Sequence, residues 1–206
     1  MLTAFFSGFL LITVSEIGDK TFFIAMILAM QHSRRLVFVG AISALAAMTM
    51  LSVGVGQAAS LLPEIYIHYA EITLFIVFGF KLLYDASQMP SETCDVVVVG
   101  EAKEVVEKAE KQAKDQKNIW AILLEAFVLI FVAEWGDRTQ IATIALAAQN
   151  NPMVGSIGAI LGHAICAVIA VTSGRMLAGQ ITERQLTAAG GCLFIIFGVV
   201  AFIQGV

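Results

Sequence analysis

Charge is scarce in this sequence. Of its 206 residues only 14% are Asp, Glu, Lys or Arg, against 59% that are hydrophobic, whereas soluble domains carry about a quarter charged residues. That shortage excludes an ordinary soluble domain and a basic nucleic-acid-binding surface. Proline and cysteine are also rare, with three of each. Cys94, Cys166 and Cys192 are scattered and form no C-x-x-C pair, which excludes a disulfide framework and a thiolate metal site. There is no Gly-rich phosphate loop, Ser-His-Asp arrangement or nucleotide site. Neither an enzyme nor an ATP-driven pump is expected, nor a permanently bound cofactor or a nucleic-acid partner. The first segment lacks the basic leader and A-x-A-like site of a cleavable signal peptide.

What the chain has is long apolar runs. Several reach about 20 residues, enough to cross the hydrocarbon core of a bilayer. Apolar runs and polar breaks predict six helices at about 2–30, 36–59, 64–86, 119–148, 153–178 and 186–205. Lys and Arg favour cytoplasmic loops. Arg34 and Arg35, then Lys103, Lys108, Lys111, Lys114 and Lys117, then Arg175 and Arg184 fall in alternate loops, while LLPE (61–64) and QNNP (149–152) hold neither. Both termini are therefore expected outside. Trp120, Tyr66 and Tyr69 fall where an aromatic belt would lie. Residues 87–118 read as a charged, partly helical and solvated cytoplasmic linker, with Glu104–Lys108, Glu107–Lys111 and Glu110–Lys114 spaced for i,i+4 pairing.

Two polar insertions interrupt the pattern. SEIGDKT (15–21) and AEWGDRT (133–139) match at Glu, Gly, Asp and Thr, at a spacing of 118 residues. At the same offset LAMQ (28–31) matches LAAQ (146–149), and GAI (40–42) recurs at 158–160; one residue out of step, LFIVFG (74–79) matches LFIIFG (193–198). The chain reads as two three-helix units, 1–86 and 119–206, joined by the 87–118 linker. Three is odd, so the second unit enters the membrane from the opposite side, as the loop charges independently require. The expected fold is an all-α integral membrane protein with six transmembrane helices as two inverted three-helix repeats, an arrangement found in many secondary transporters.

Each intramembrane carboxylate costs roughly 2.5–3.5 kcal/mol on insertion scales. In a continuous helix Glu16 and Asp19 share a face, as do Glu134 and Asp137. One reading pairs Glu16 with Lys20 and Glu134 with Arg138, as locks between the units. The other makes the four acids a cation site, since four acids and two bases leave a formal charge that one divalent ion neutralises. Recurrence of two acids with one base favours the site. Carboxylate and hydroxyl oxygens suit calcium, magnesium or manganese. Thr21 and Thr139 either add hydroxyl oxygens or bond their own backbone. Gly18 and Gly136 either loosen the helix or permit close packing, and Gly54, Gly56, Gly155, Gly158 and Gly162 read as helix-contact surfaces.

A desolvated carboxylate takes up a proton, and a cation bound to the same oxygens expels it. Such a site suits proton-coupled antiport; a passive cation channel using the same acids stays open. His163, Glu125 and Glu71 are candidates for a proton path, set against plainer readings as an interhelical hydrogen-bonded histidine and two snorkelling acids.

The doubled E-x-G-D-[KR]-T motif, Glu16-Ile17-Gly18-Asp19-Lys20-Thr21 and Glu134-Trp135-Gly136-Asp137-Arg138-Thr139, resembles that of the uncharacterised protein family sixteen, or GDT family, of manganese and calcium exchangers. The resemblance covers essentially the whole chain. It implies a divalent cation–proton antiporter in which Glu16, Asp19, Glu134 and Asp137 bind the ion and Thr21 and Thr139 help. With no targeting extension, the chain looks most like the family's bacterial manganese exporters, which implies manganese export through a bacterial inner membrane. Calcium in the same site is the alternative. The implied partners are the bilayer, the cation and protons.

Overall fold

The computed structural model describes residues 2–88, 98–112, 118–149, 152–173 and 183–204. The described residues are helical, with no strand among them: α1 (Leu2–Glu16), α2 (Lys20–Gln31), α3 (Arg34–Ala59), α4 (Glu64–Gln88), α5 (Val98–Gln112), α6 (Ile119–Ala133), α7 (Arg138–Gln149), α8 (Pro152–Ser173) and α9 (Glu183–Gln204). The spans expected over 2–30 and 119–148, in which a loosening at the motif glycines was left open, are each broken at the motif. Both breaks leave a 15-residue helix followed by a 12-residue one, and α6 and α7 are bent 76° from one another. The expected continuation of the fifth helix to 178 lies outside the described residues.

By length and apolar composition α3, α4 and α8 can each cross a bilayer, and the bent α6–α7 pair makes a fourth candidate. Helices α1, α2 and α9 are apolar but shorter in their described parts. Tyr66, Tyr69 and Trp120 are exposed, as a belt requires.

Among the helix contacts are three pairs, α1 with α8, α3 with α6 and α4 with α9, and α3 packs on α7 and α8 almost as extensively as on α6. Small residues set the first two. Gly158 on α8 sits against Phe5 O and Phe9 N of α1; Gly40 on α3 sits against Leu123 O and Phe127 N of α6. Every residue of the second contact is 118 positions from its counterpart in the first. In the third pair Gly79 meets Ile195 and Gly198 meets Ile76, again reciprocal. Backbones approach this closely only where no Cβ intervenes. Gly56 and Gly162 are also in contact, against Ala147 and Thr13. Gly54 was expected on a contact surface but has nothing within 4 Å, because its side of α3 faces outward.

One apolar cluster joins Phe22 to Ala29 of α2 with Ala41 and Leu45 of α3, Ala126 and Ile130 of α6 and Ala170 of α8. The linker corrects its sequence reading here. Ala102 and Val106 of α5 are fully buried in that cluster, with Val99 packed beside them. An amphipathic helix cannot stay wholly solvated when an apolar surface lies next to it. Its other face is charged: Lys108 lies 2.6 Å from Glu104 and Lys103 3.8 Å from Glu107. The hydrogen bond and charge of Lys108 hold the Glu104 carboxyl below the usual carboxylate range. The expected pairs Glu107–Lys111 and Glu110–Lys114 lie outside the described side chains.

Gly158→Ala forces the α1 and α8 backbones apart, and is expected to destabilise by about 1–3 kcal/mol, the range of overpacking. Gly54→Ala, on an open side, is expected to change stability by less than about 0.5 kcal/mol. Thermal unfolding in detergent compares them; equal midpoints would contradict the close contact.

Candidate functional site

Each motif is a helix stop and a helix start within six residues. Gly18 has φ +78° and Gly136 has φ +81°, the left-handed conformation that glycine adopts without the strain of a Cβ and that commonly ends helices. The following Asp opens the next helix. Asp19 O accepts Phe23 N–H and Asp137 O accepts Ile141 N–H, both at 3.2 Å, as a residue at a helix start does. The turns close through Asp19 N–H to Glu16 O at 3.2 Å and Asp137 N–H to Glu134 O at 3.1 Å. So Glu and Asp of one motif do not share a face of one helix, as the spacing suggested. They flank a turn.

The two breaks adjoin. One carboxylate oxygen from each of Glu16, Glu134 and Asp137 lies within 4.8 Å of the others. Glu16 and Glu134 are each 2% exposed. Thr21 Oγ1 donates to Glu16 Oε2 at 3.2 Å, while Thr139 Oγ1 lies 3.0 Å from Asp137 Oδ2 and 3.5 Å from Glu134 Oε2. Asp137 Oδ2 also accepts Thr139 N–H at 3.2 Å, capping α7. Glu16 Oε1 and Glu134 Oε1 are buried and accept no hydrogen bond among the described residues. Buried carboxylate oxygens left open in this way are costly, and a cation satisfies all of them at once.

The bases reach elsewhere. Arg138 Nη2 lies 3.6 Å from Asp19 Oδ1, tying one motif to the other. Lys20 Nζ lies 3.4 Å from Glu101 Oε2 of α5. The expected locks, Glu16 with Lys20 and Glu134 with Arg138, are not the pairs formed, because each break separates the acid from the turn that carries its base. Asp19 stands outside the three-carboxylate group.

The remaining candidates are not among those three carboxylates. Glu125 lies 3.8 Å from Nε2 of His32, so it is not a lone snorkelling acid. Glu71 is 5% exposed within α4, buried where an interfacial position was expected. His163 is buried on α8 and its Nδ1 has no hydrogen-bond partner among the described residues, contrary to the interhelical bond expected of it.

Four residues near the motifs were not singled out from sequence. Glu101 belongs to the linker. Gln140 accepts Gly136 N–H on Oε1 at 2.7 Å and donates from Nε2 to Met48 Sδ at 3.0 Å. Cys166 Sγ donates to Thr13 O at 3.5 Å and lines a small cavity with Glu16 and Thr21. A signal existed for two of these: Met48 and Cys166 are 118 residues apart, the spacing of the motifs.

The family described as divalent cation/proton antiporter GDT1 matches residues 4–90 and 122–206, which covers both motifs. A GDT1-like protein of Synechocystis sp. is 56% identical over 202 residues, 98% of each chain. GDT1-like protein 3 of Oryza sativa is 40% identical over 98% of this chain and 74% of its own length. The chloroplastic PAM71-homolog protein of Arabidopsis thaliana is 41% identical over 97% of this chain and 59% of its own. No solved structure matches. The chain that folds its two acidic motifs into adjoining helix breaks belongs to the GDT1 family of divalent cation/proton antiporters, membrane transporters rather than enzymes.

Proposed function

We propose that this protein exports manganese from the cytoplasm in exchange for protons, holding either cargo at Glu16, Glu134 and Asp137. The observation that carries the reading is the convergence of three carboxylates within 4.8 Å, with buried oxygens left open on two of them. Thr21 and Thr139 orient the carboxylates. Asp19, held by Arg138, couples one motif to the other and completes the cage when the halves move.

Charge supports exchange rather than permanent binding. With Asp19 facing Arg138 and Lys20 facing Glu101, the three remaining carboxylates are formally −3. Replacing one divalent cation by two protons leaves the charge of the group unchanged. In a low-dielectric site that equality matters, since an uncompensated charge costs several kcal/mol. Hard oxygens serve manganese and calcium alike. Manganese follows the motif's resemblance to bacterial exporters, and calcium is the second reading.

In this reading α1–α2 and α6–α7 are each one broken span. With α3, α4, α8 and α9 they make six, as two inverted units, 1–86 and 119–206, around the site. The paired half-helix lengths and the glycine contact recurring at 118 residues support this. The Lys and Arg pattern supports a cytoplasmic linker with both termini outside, and the resemblance to bacterial exporters supports a bacterial inner membrane. His163, Glu125 and Glu71 are kept as candidates for the proton path.

In proteoliposomes with an imposed proton gradient, Glu134→Gln or Asp137→Asn is expected to cut manganese-driven proton movement by more than the roughly 10–100-fold that follows loss of a ligand's supporting partner. Size-exclusion profiles should stay unchanged. Normal transport by both variants would remove these residues from the site; flux that a pH gradient cannot drive uphill would favour a channel.

Protons and cation compete for the same oxygens, so acidification must weaken cation binding. Apparent KM for manganese is expected to rise as pH falls on the loading side, by up to about tenfold per pH unit for each proton displaced. A KM independent of pH would separate proton from cation.

A further inference from the structure

Neither motif contains sulfur, yet two sulfur atoms lie at their level. On α3, Gly40 packs against Ala126 of α6 and Gly56 against Ala147 of α7. Met48 lies midway between these glycines and so stands beside the break that separates α6 from α7. Its Sδ accepts the Gln140 Nε2–H at 3.0 Å, and Gln140 Oε1 holds Gly136 N–H, between Glu134 and Asp137. On α8, Gly158 packs on Phe5 and Phe9, and Gly162 on Thr13. One turn further, Cys166 reaches Thr13 O and lines the cavity it shares with Glu16 and Thr21. Both sulfur residues are 4% exposed.

The two positions are 118 residues apart, the spacing that relates the motifs. Each of α3 and α8 thus brings one sulfur atom to the break in the helix it packs against. Carboxylates by themselves do not separate manganese from calcium or magnesium. Sulfur does, because the hard alkaline-earth ions calcium and magnesium gain almost nothing from a polarisable donor, whereas a transition-metal ion shares electron density with it.

We propose that Met48 and Cys166 are specificity-determining residues, a pair of neutral sulfur donors flanking the carboxylates that biases the cargo toward manganese and against calcium and magnesium. The proposal rests on the carboxylate cage being the transport site. In the transport cycle the cation moves within reach of Cys166 through the cavity beside Glu16. Met48, steered by Gln140, serves the other motif in the same way. Packing alone does not account for the pair, since a thioether held by a side-chain amide is directed rather than merely accommodated.

The test is manganese and calcium uptake by the full chain in proteoliposomes, each ion measured with the other as competitor. The variants are Met48→Leu, which keeps the volume, and Cys166→Ser, with Cys192→Ser on the exposed face of α9 as control. Each of the first two is expected to lower the manganese-to-calcium ratio of kcat/KM by about tenfold, the scale on which partners of metal ligands act. Calcium uptake should be kept or raised, and the control should match the parent. Cadmium, which prefers sulfur, should block the parent at a lower concentration than it blocks the double variant. An unchanged ratio in both variants, or an equal loss for both ions, overturns the sulfur assignment while leaving the cage intact. If the parent protein carries neither ion, the cage reading fails and the proposal with it.

Discussion

Carboxylates that leave water for an apolar helix bundle are stable only if something in the interior meets their charge, and like-charged neighbours make the demand greater. Glu16 and Glu134 are almost fully buried and share a small volume with Asp137. Much of the surrounding structure follows from that demand. The helices break so that threonine hydroxyls and a helix-start N–H can face the acids. The two bases are drawn off, Arg138 to Asp19 and Lys20 to Glu101, rather than neutralising the group. What remains is a shortage of positive charge and of hydrogen-bond donors, which is the condition for binding a mobile cation or protons and for releasing them again.

A symmetric scaffold carries an asymmetric lining. The contact of Gly158 with Phe5 and Phe9 between α8 and α1 recurs as that of Gly40 with Leu123 and Phe127 between α3 and α6. Around the breaks the correspondence ends. Asp137 caps its own helix, whereas Asp19 faces Arg138 of the other motif. Gln140 holds the second turn, while the matching position of the first is the buried Phe22. The α5 helix, between the two motifs in the chain, buries Ala102 and Val106 on the α2 side and reaches Lys20 through Glu101. The two breaks thus share a backbone course and differ in their side-chain partners.

Much of this was legible in the chain. The doubling of E-x-G-D-[KR]-T placed acids of both copies together because intramembrane charges need a common partner, and Glu16, Glu134 and Asp137 do meet. The family could be recognised from those residues. The helix boundaries near 59 and 64 followed from LLPE, since proline and polar residues end an apolar run. The buried face of α5 was less visible, because Ala102 and Val106 are small, sit among lysines and glutamates, and count for little in a hydropathy window.

The sequence by itself determined the apolar runs, the doubled motif and the chemistry of the carboxylates, because periodicity and composition are local properties written residue by residue. Only the tertiary structure decided the partners. Whether Lys20 met Glu16 or Glu101, whether Arg138 closed on its own motif or crossed to Asp19, and which sulfur stood beside which break depended on the direction of the chain after Gly18 and Gly136. A single backbone angle at each glycine redirects everything beyond it, and the neighbours that result lie about a hundred residues away along the chain.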